Sequence, residues 1–358
     1  MSNNGNNIAT LLDAVSRTEQ WAQGIAGWEF CNLEHAYAPR PPLAYVVSGL
    51  LPIESLSIFY GVPGSFKTML LQDMAVCVAA GSPWLPPLPG HGGVTPRATR
   101  RAPVLWIDFD NGGRRTHERF GALARAQNVP VDTPLHYVSM PTPWLNAFDP
   151  EAVDALIPRI SELGAKLVIL DNLGAVSGGA DENSIQMLRV LHNLRRMAEG
   201  TGAAVVLIHH PRKGTGGRLG ENLRGHSSIE AAVDLALLVE RTADIVKVRT
   251  AKSRDADVPP FSAMFTWEHR SGTRELETAQ FFGVPDELRE DELVVRQAIL
   301  EIVRDCPEIN KTALKEAAYA RVSGVGINRI PPIIDDMHSE RLLVMTTGPN
   351  GASLYTLN

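Results

Sequence analysis

From about Leu43 to Gly283, short apolar runs alternate with longer amphipathic segments. The runs are Leu56–Tyr60, Val104–Phe109, Leu135–Ser139, Leu167–Leu170, Ala203–Ile208, Leu235–Val239 and Ile245–Thr250. Most are near-continuous apolar runs separated by helices, so they read as strands of a sheet covered on both faces. Lys67–Ala80, Glu118–Gln127, Glu151–Leu163 and Glu182–Thr201 read as helices with one apolar side. This alternation predicts an α/β fold whose mainly parallel sheet is covered by helices.

The pattern changes at both ends. Residues 1–42 form a polar lead-in with a helix from about Ala9 to Ile25, broken by Ala38-Pro39-Arg40-Pro41-Pro42. Residues 43–285 carry the alternation. Residues 286–358 read as helices Glu290–Arg304, Lys311–Ala320 and about Pro331–Glu340, then strands Leu342–Met345 and Ser353–Leu357 around a Gly348-Pro349-Asn350-Gly351 turn. Three helices and a hairpin predict a winged-helix-like α+β domain. Two segments interrupt the core. Pro83–Arg101 has no periodicity and reads as a disordered surface excursion, and Pro211–Ser228 is rich in Gly and Arg.

Chemistry gathers where the apolar runs end. Leu56–Tyr60 leads into Gly61-Val62-Pro63-Gly64-Ser65-Phe66-Lys67-Thr68 and then a helix. Strand, Gly-rich loop, Lys-Thr and helix are the context of a phosphate-binding P-loop. Its backbone N–H groups cradle phosphates, Lys67 reaches the β- and γ-phosphates, and Thr68 offers a hydroxyl to Mg²⁺. Phe66 stands where a glycine is usual, and the expectation is an ordinary helical or bridging backbone there. The run Leu167–Leu170 ends in Asp171, placed to hold Mg²⁺. Val104–Phe109, expected beside the P-loop strand, delivers Asp108 and Asp110 to one face. Asp110, nearer the C-terminal end, is the preferred general base. Val205–Ile208 delivers His209 and His210 to a sheet end, where an imidazole can sense a γ-phosphate.

These motifs, in this order, resemble the RecA-like hexameric ATPases, with the plasmid replicative helicases of the RepA type and related phage and mobile-element ATPases nearest in look. The similarity covers about residues 41–270 and includes VLWIDFDNGGRRTHERF, LVILDN, VLIHHPRK and NLRGHSSIEAAVDLALLVER. The resemblance implies ATP and Mg²⁺ as ligands and a homo-oligomeric ring, usually a hexamer, with ATP between subunits. It implies His210 as the sensor and an arginine finger in trans. Arg224 matches the arginine of the family's Arg-Gly-Ser-Ser, and Lys252 and Arg254 resemble a Lys-x-Arg pair that related motors insert in trans; the resemblance leaves open which of the three is the finger. Asp110 stands where the family usually has Glu.

Net charge, −6, argues against a DNA-coating protein and confines nucleic-acid contact to local patches. The loop from Pro211 to Ser228 is such a patch, with Arg212, Lys213, Arg218 and Arg224 against Glu221 alone. Facing a ring channel, it would track the backbone of single-stranded DNA. Residues 289–358 hold eight Lys or Arg against ten Asp or Glu, which suits a protein partner as well as DNA. Cys31, Cys77 and Cys306 lie far apart, so a cytoplasmic protein without disulfide or metal-thiolate site is expected. No apolar run spans a membrane, and the first residues lack signal-peptide character. Two functions stay open: a single-strand DNA helicase, and an ATP-gated scaffold that does not unwind.

Overall fold

A computed structural model describes residues 19, 22, 25–89, 94–180, 185–210, 227–254, 257–285, 290–322, 324–340, 342–348 and 352–357. The chain divides into two compact units, 1–43 and 44–358. In the first, a short helix, Leu33–Tyr37, is capped by Asn32, whose side chain accepts from the His35 N–H at 3.1 Å. The helix expected from about Ala9 lies largely outside the described residues.

The second unit is built on a nine-stranded sheet. Its strands are β1 (Leu56–Tyr60), β2 (Val104–Asp108), β3 (Leu135–Ser139), β4 (Leu167–Asp171), β5 (Ala204–His209), β6 (Leu235–Thr242), β7 (Ile245–Ser253), β8 (Phe261–His269) and β9 (Leu276–Val284). They lie in the order β9-β8-β7-β6-β1-β5-β4-β2-β3. The six from β3 to β6 run parallel. The other three continue the sheet antiparallel. Two expectations change. Strand β2 is not beside β1, because β4 and β5 lie between them. Right-handed crossovers fix local handedness but not strand order, so neighbours in sequence need not be neighbours in space. The paired strands β8 and β9 were not anticipated. Their half-buried, alternating faces lack the continuous burial that marks β1, β2, β4 and β5.

Helices cover both faces. One core packs α1 (Lys67–Ala80) and α2 (Gly113–Ala126) on the sheet, and the other packs α3 (Pro150–Glu162), α4 (Leu173–Val176), α5 (Ile185–Thr201) and α6 (Ser227–Ala232). Twelve of the fourteen residues of α1 are buried, so it is the central helix of its layer rather than a surface one. The segment Pro83–Arg101, expected to be disordered, is described except for 90–93 and is anchored. Trp84 is fully buried with its ring 5.8 Å from Phe261, and its backbone exchanges hydrogen bonds with Arg97 at 2.8 and 2.9 Å. Burying an indole outweighs the weak secondary-structure preference of this Pro-rich stretch.

Burial of α1 also traps a carboxyl. Asp73 is fully buried, accepts from Gln127 Nε2 at 3.2 Å and from the Phe281 N–H at 3.4 Å, and burial pushes its pKa up to about 7. The unfolded chain releases this proton near pH 4. The native state therefore binds the extra proton between about pH 4 and 7, and stability falls as pH rises through that window. Asp73→Asn is expected to change stability little at pH 5 and to raise it by roughly 2–4 kcal/mol at pH 8. Urea unfolding at both pH values measures this; an equal offset at both would refute it.

At the C-terminus, α7 (Glu290–Asp305), α8 (Lys311–Arg321) and α9 (Ile330–Ser339) enclose their own apolar core with the small sheet β10 (Ile309–Asn310), β11 (Leu343–Thr347) and β12 (Ser353–Leu357). The sheet is antiparallel with β12 in the centre. Among the described residues, no helix is long and apolar enough to cross a membrane.

Candidate nucleotide site

The order β2-β4-β5-β1 sets four strand ends in one row. Ligands of open α/β sheets bind at such carboxyl ends. Here β2 leads to Asp110, β4 ends in Asp171, β5 leads to His210 and β1 leads into the loop 61–68. A cleft of ≈ 590 Å³ opens over this row, lined by Lys67, Thr68, Asp110 and His210 among others.

The loop's shape follows from its residues. Gly61 sits so close to β6 that a Cβ would lie 2.2 Å from the Val239 carbonyl oxygen. No other residue fits there. Gly64 has φ +83°, which favours glycine. Phe66 does not take the ordinary conformation expected of it: its φ is +65° and ψ 14°, the left-handed region. That costs about 1–2 kcal/mol. Aromatic packing offsets it, since the Phe66 ring lies 4.9 Å from Phe265 and 6.4 Å from Phe281, both on the antiparallel strands.

Lys67 is buried, and its amine donates to the carbonyls of Gly61 and Val62 at 2.7 and 2.9 Å and to Ser65 Oγ at 3.1 Å. Burial lowers its pKa to about 8, against the opposing pull of Asp171. A phosphate would replace these neutral acceptors with a charged one, a stronger bond.

Thr68 Oγ1 donates to Asp171 Oδ2 at 3.0 Å, and Asn111 Nδ2 donates to the same oxygen at 3.1 Å. The other oxygen, Asp171 Oδ1, is buried without a hydrogen-bond partner. Burial raises this carboxyl to about 7, with Asp108 and Asp110 adding repulsion. A buried carboxylate oxygen lacking a donor, next to a hydroxyl and beneath a P-loop, fits a divalent cation. One ligand atom each from Asp110, Asp171 and His210 also lies within 4.8 Å of the others. Thr68 and Asp171 would hold Mg²⁺, which neutralises phosphate charge when bound.

The two carboxylates after β2 have different surroundings. Asp108 is buried and accepts from Thr116 and Ser139 hydroxyls at 2.6 and 2.8 Å, from Asn111 Nδ2 at 3.1 Å, and from the N–H groups of Asp110 and Asn111 at 3.0 and 2.9 Å. These donors keep its pKa low despite burial. Asp108 therefore ties the β2 turn together, while Asp110 is exposed on the cleft. Asp110→Asn is expected to retain ATP binding and lose turnover by about 10²–10⁴, the usual worth of a general base. Asp108→Asn should instead lower thermal stability. Full turnover with Asp110→Asn would remove it as the base.

His210 is half-buried, and its Nδ1 is without a hydrogen-bond partner. Burial and the Lys67 charge hold its pKa below the usual imidazole value. A neutral imidazole there can donate its N–H to a phosphate oxygen.

Several cleft residues were not anticipated. Asn111 links Asp108 to Asp171, and Arg119 Nη1 donates to Asn111 Oδ1 at 2.9 Å. Asn172 and Arg241 also line the cleft. In the sequence, Asp110-Asn111-Gly112-Gly113 reads only as a turn, and a helix-borne arginine at 119 carries no motif. The cleft thus has two arginines of its own, Arg119 and Arg241.

The structure does not bring Lys252 and Arg254 to this site. Strand β7 carries them toward the end of the sheet where β1 begins, with Lys252 opposite Ala236. There Lys252 Nζ donates to the carbonyls of Glu230 and Ala231 at the end of α6. Arg254 pairs with Asp234 at 3.2 Å, and Asp234 also pairs with Arg195 at 2.7 Å and accepts from the Leu56 N–H at 2.9 Å. Arg212, Lys213, Arg218 and Arg224 lie outside the described residues.

A family model described as an AAA domain matches residues 30–216, just over half of the chain and the whole stretch from the P-loop through His210. The chain belongs to this AAA domain family of P-loop ATPases.

Proposed function

We propose that the chain hydrolyses ATP with Mg²⁺ in a homo-oligomeric ring and applies the energy to single-stranded DNA, as a replicative helicase of the RepA type does. The observation that carries the catalytic half is the row of Lys67, Thr68, Asp171, Asp110 and His210 over one cleft. Lys67 binds the phosphate chain, Thr68 and Asp171 hold the cation, Asp110 orients the attacking water and His210 reports the γ-phosphate. The DNA half rests on the basic stretch Arg212, Lys213, Arg218 and Arg224, which follows His210 directly and so would couple phosphate loss to a backbone-tracking loop.

A second reading, an ATP-gated scaffold of a mobile element, draws on the C-terminal winged-helix-like unit. A groove of ≈ 440 Å³ runs between Ile245 and Met264 of the sheet and Val294 and Ala298 of α7. Its apolar lining suits a protein partner more than a phosphate backbone. Single-stranded DNA is expected to raise ATP turnover several-fold, and ATP to drive displacement of a paired strand. ATP turnover indifferent to DNA, with no displacement, would replace the helicase reading by the scaffold.

A further inference from the structure

Phe66 and Arg241 form a stack that the hydrolytic reading leaves without a task. The Arg241 guanidinium carbon lies 3.6 Å from the centroid of the Phe66 ring, and both residues line the nucleotide cleft. Phe66 is itself pinned against Phe265 and Phe281 and holds a left-handed backbone to stay there. A phenylalanine in that conformation, where glycine would be free of strain, calls for something that its ring supports.

The edges of the guanidinium are occupied. Arg241 Nε donates to the Ala243 carbonyl, Nη1 to the Gly64 carbonyl at 3.4 Å, and Nη2 lies 3.7 Å from Asp244. A group tethered on three sides does not swing onto a phosphate as a finger would. One of its flat faces is covered by Phe66. The side chain is nonetheless 33 % exposed, and it lines the cleft. What Arg241 offers there is a rigid, cationic, planar face.

Such a face stacks on a flat aromatic ligand. Resting on the ATP-site reading, we propose that the Phe66–Arg241 pair is the platform on which the nucleobase of the bound nucleotide stacks, placed by the same Gly64 contact that shapes the phosphate loop. Phe66 holds the guanidinium flat, Asp244 and the two carbonyls fix its rotation, and the base completes a three-layer stack. Recognition by stacking alone accepts any base and favours the larger purines.

The test compares ATP with inorganic tripolyphosphate, which has the phosphates and no base, by calorimetry in the presence of Mg²⁺. In the unaltered chain ATP should bind more tightly than tripolyphosphate. Arg241→Leu should weaken ATP about tenfold, the scale of one desolvated cation–π contact, and leave tripolyphosphate unchanged. Phe66→Leu, which keeps an apolar side chain in the aromatic pocket, should weaken ATP in the same selective way and serves as the second variant where Arg241→Leu fails to fold. Equal losses for both ligands would make Arg241 a phosphate ligand and overturn the platform, as would no loss for either. An unaltered chain that binds both ligands equally overturns the platform alone. One that binds neither overturns the nucleotide-site reading itself.

Discussion

Lys67→Ala is expected to lower ATP turnover by about 10²–10³ or more, the usual loss when one preorganised charge-stabilising donor is removed. The geometry gives the reason. The amine is held at the mouth of the loop by two carbonyls and the Ser65 hydroxyl, within the cleft that Thr68, Asp110 and His210 share. Alanine leaves those acceptors unpaired and removes the one lysine that lines the cleft among its described residues. Nucleotide affinity should fall as well, because the lysine charge also attracts the ground-state phosphates, though less strongly than the transition state. A fluorescent ATP analogue reads the binding, and phosphate release reads the turnover. The lysine's pKa of about 8 adds a pH signature. Its free amine loses charge above that value, so phosphate affinity should decline from about pH 8 upward, and ligand binding should shift the decline to higher pH. Unchanged binding and turnover in Lys67→Ala would remove the loop from the chemistry.

Much of this site was legible because its motifs mark strand ends. The runs at 56–60, 104–107 and 167–170 contain no charge, so the first carboxylate or glycine after each one stands out. A parallel sheet then brings those ends together wherever the strands fall. For this reason the wrong expectation about the neighbour of β1 did no harm to the site: β2 delivers Asp110 to the same row from two strands further away. Alternation placed Asp108 and Asp110 on one face, and the choice of Asp110 drew only on its position nearer the C-terminal end of the strand. What separates them physically is the set of five donors around Asp108, and three of those come from Thr116, Ser139 and the Asn111 side chain. No spacing rule shows that in advance.

Other features were hidden for different reasons. The conformation of Phe66 depends on Phe265 and Phe281, about two hundred residues away on strands whose alternating pattern is faint. Propensity argued against a positive φ, and tertiary packing overrode it. Trp84 likewise turned a Pro-rich segment into an anchored one. Arg119 and Arg241 carry no motif, and they reach the cleft only through the placement of α2 and the end of β6. Local conflict of this kind, between what a residue prefers and what the fold imposes, tends to collect at functional sites. Phe66 is one such place.

Arg119 and Arg241 also sharpen the question of where the transition-state cation comes from. Arg119 is tied to Asn111, and Arg241 to Phe66, Gly64 and Asp244. Both are committed, so the cleft still calls for a mobile cation at the γ-phosphate. Lys252 and Arg254 are held at the other end of the sheet in cis. This leaves Arg224 as the first candidate for a finger supplied by a neighbouring subunit. Such a finger is worth about 10³–10⁵ in rate. Arg224→Ala is expected to lose turnover on that scale while binding ATP normally. Mixed with Lys67→Ala, which keeps Arg224 but not the loop lysine, it should regain part of the activity. At some mixed interfaces an intact Lys67 in one subunit meets an intact Arg224 from the next. Two inactive variants cannot restore each other if every catalytic group belongs to one chain. Activity of the unaltered chain should also rise faster than linearly with protein concentration near its assembly threshold. The same mixing with Lys252→Ala or Arg254→Ala decides whether either pair member acts in trans. Specific activity independent of concentration, and no recovery in any mixture, would refute both the site completed in trans and the ring.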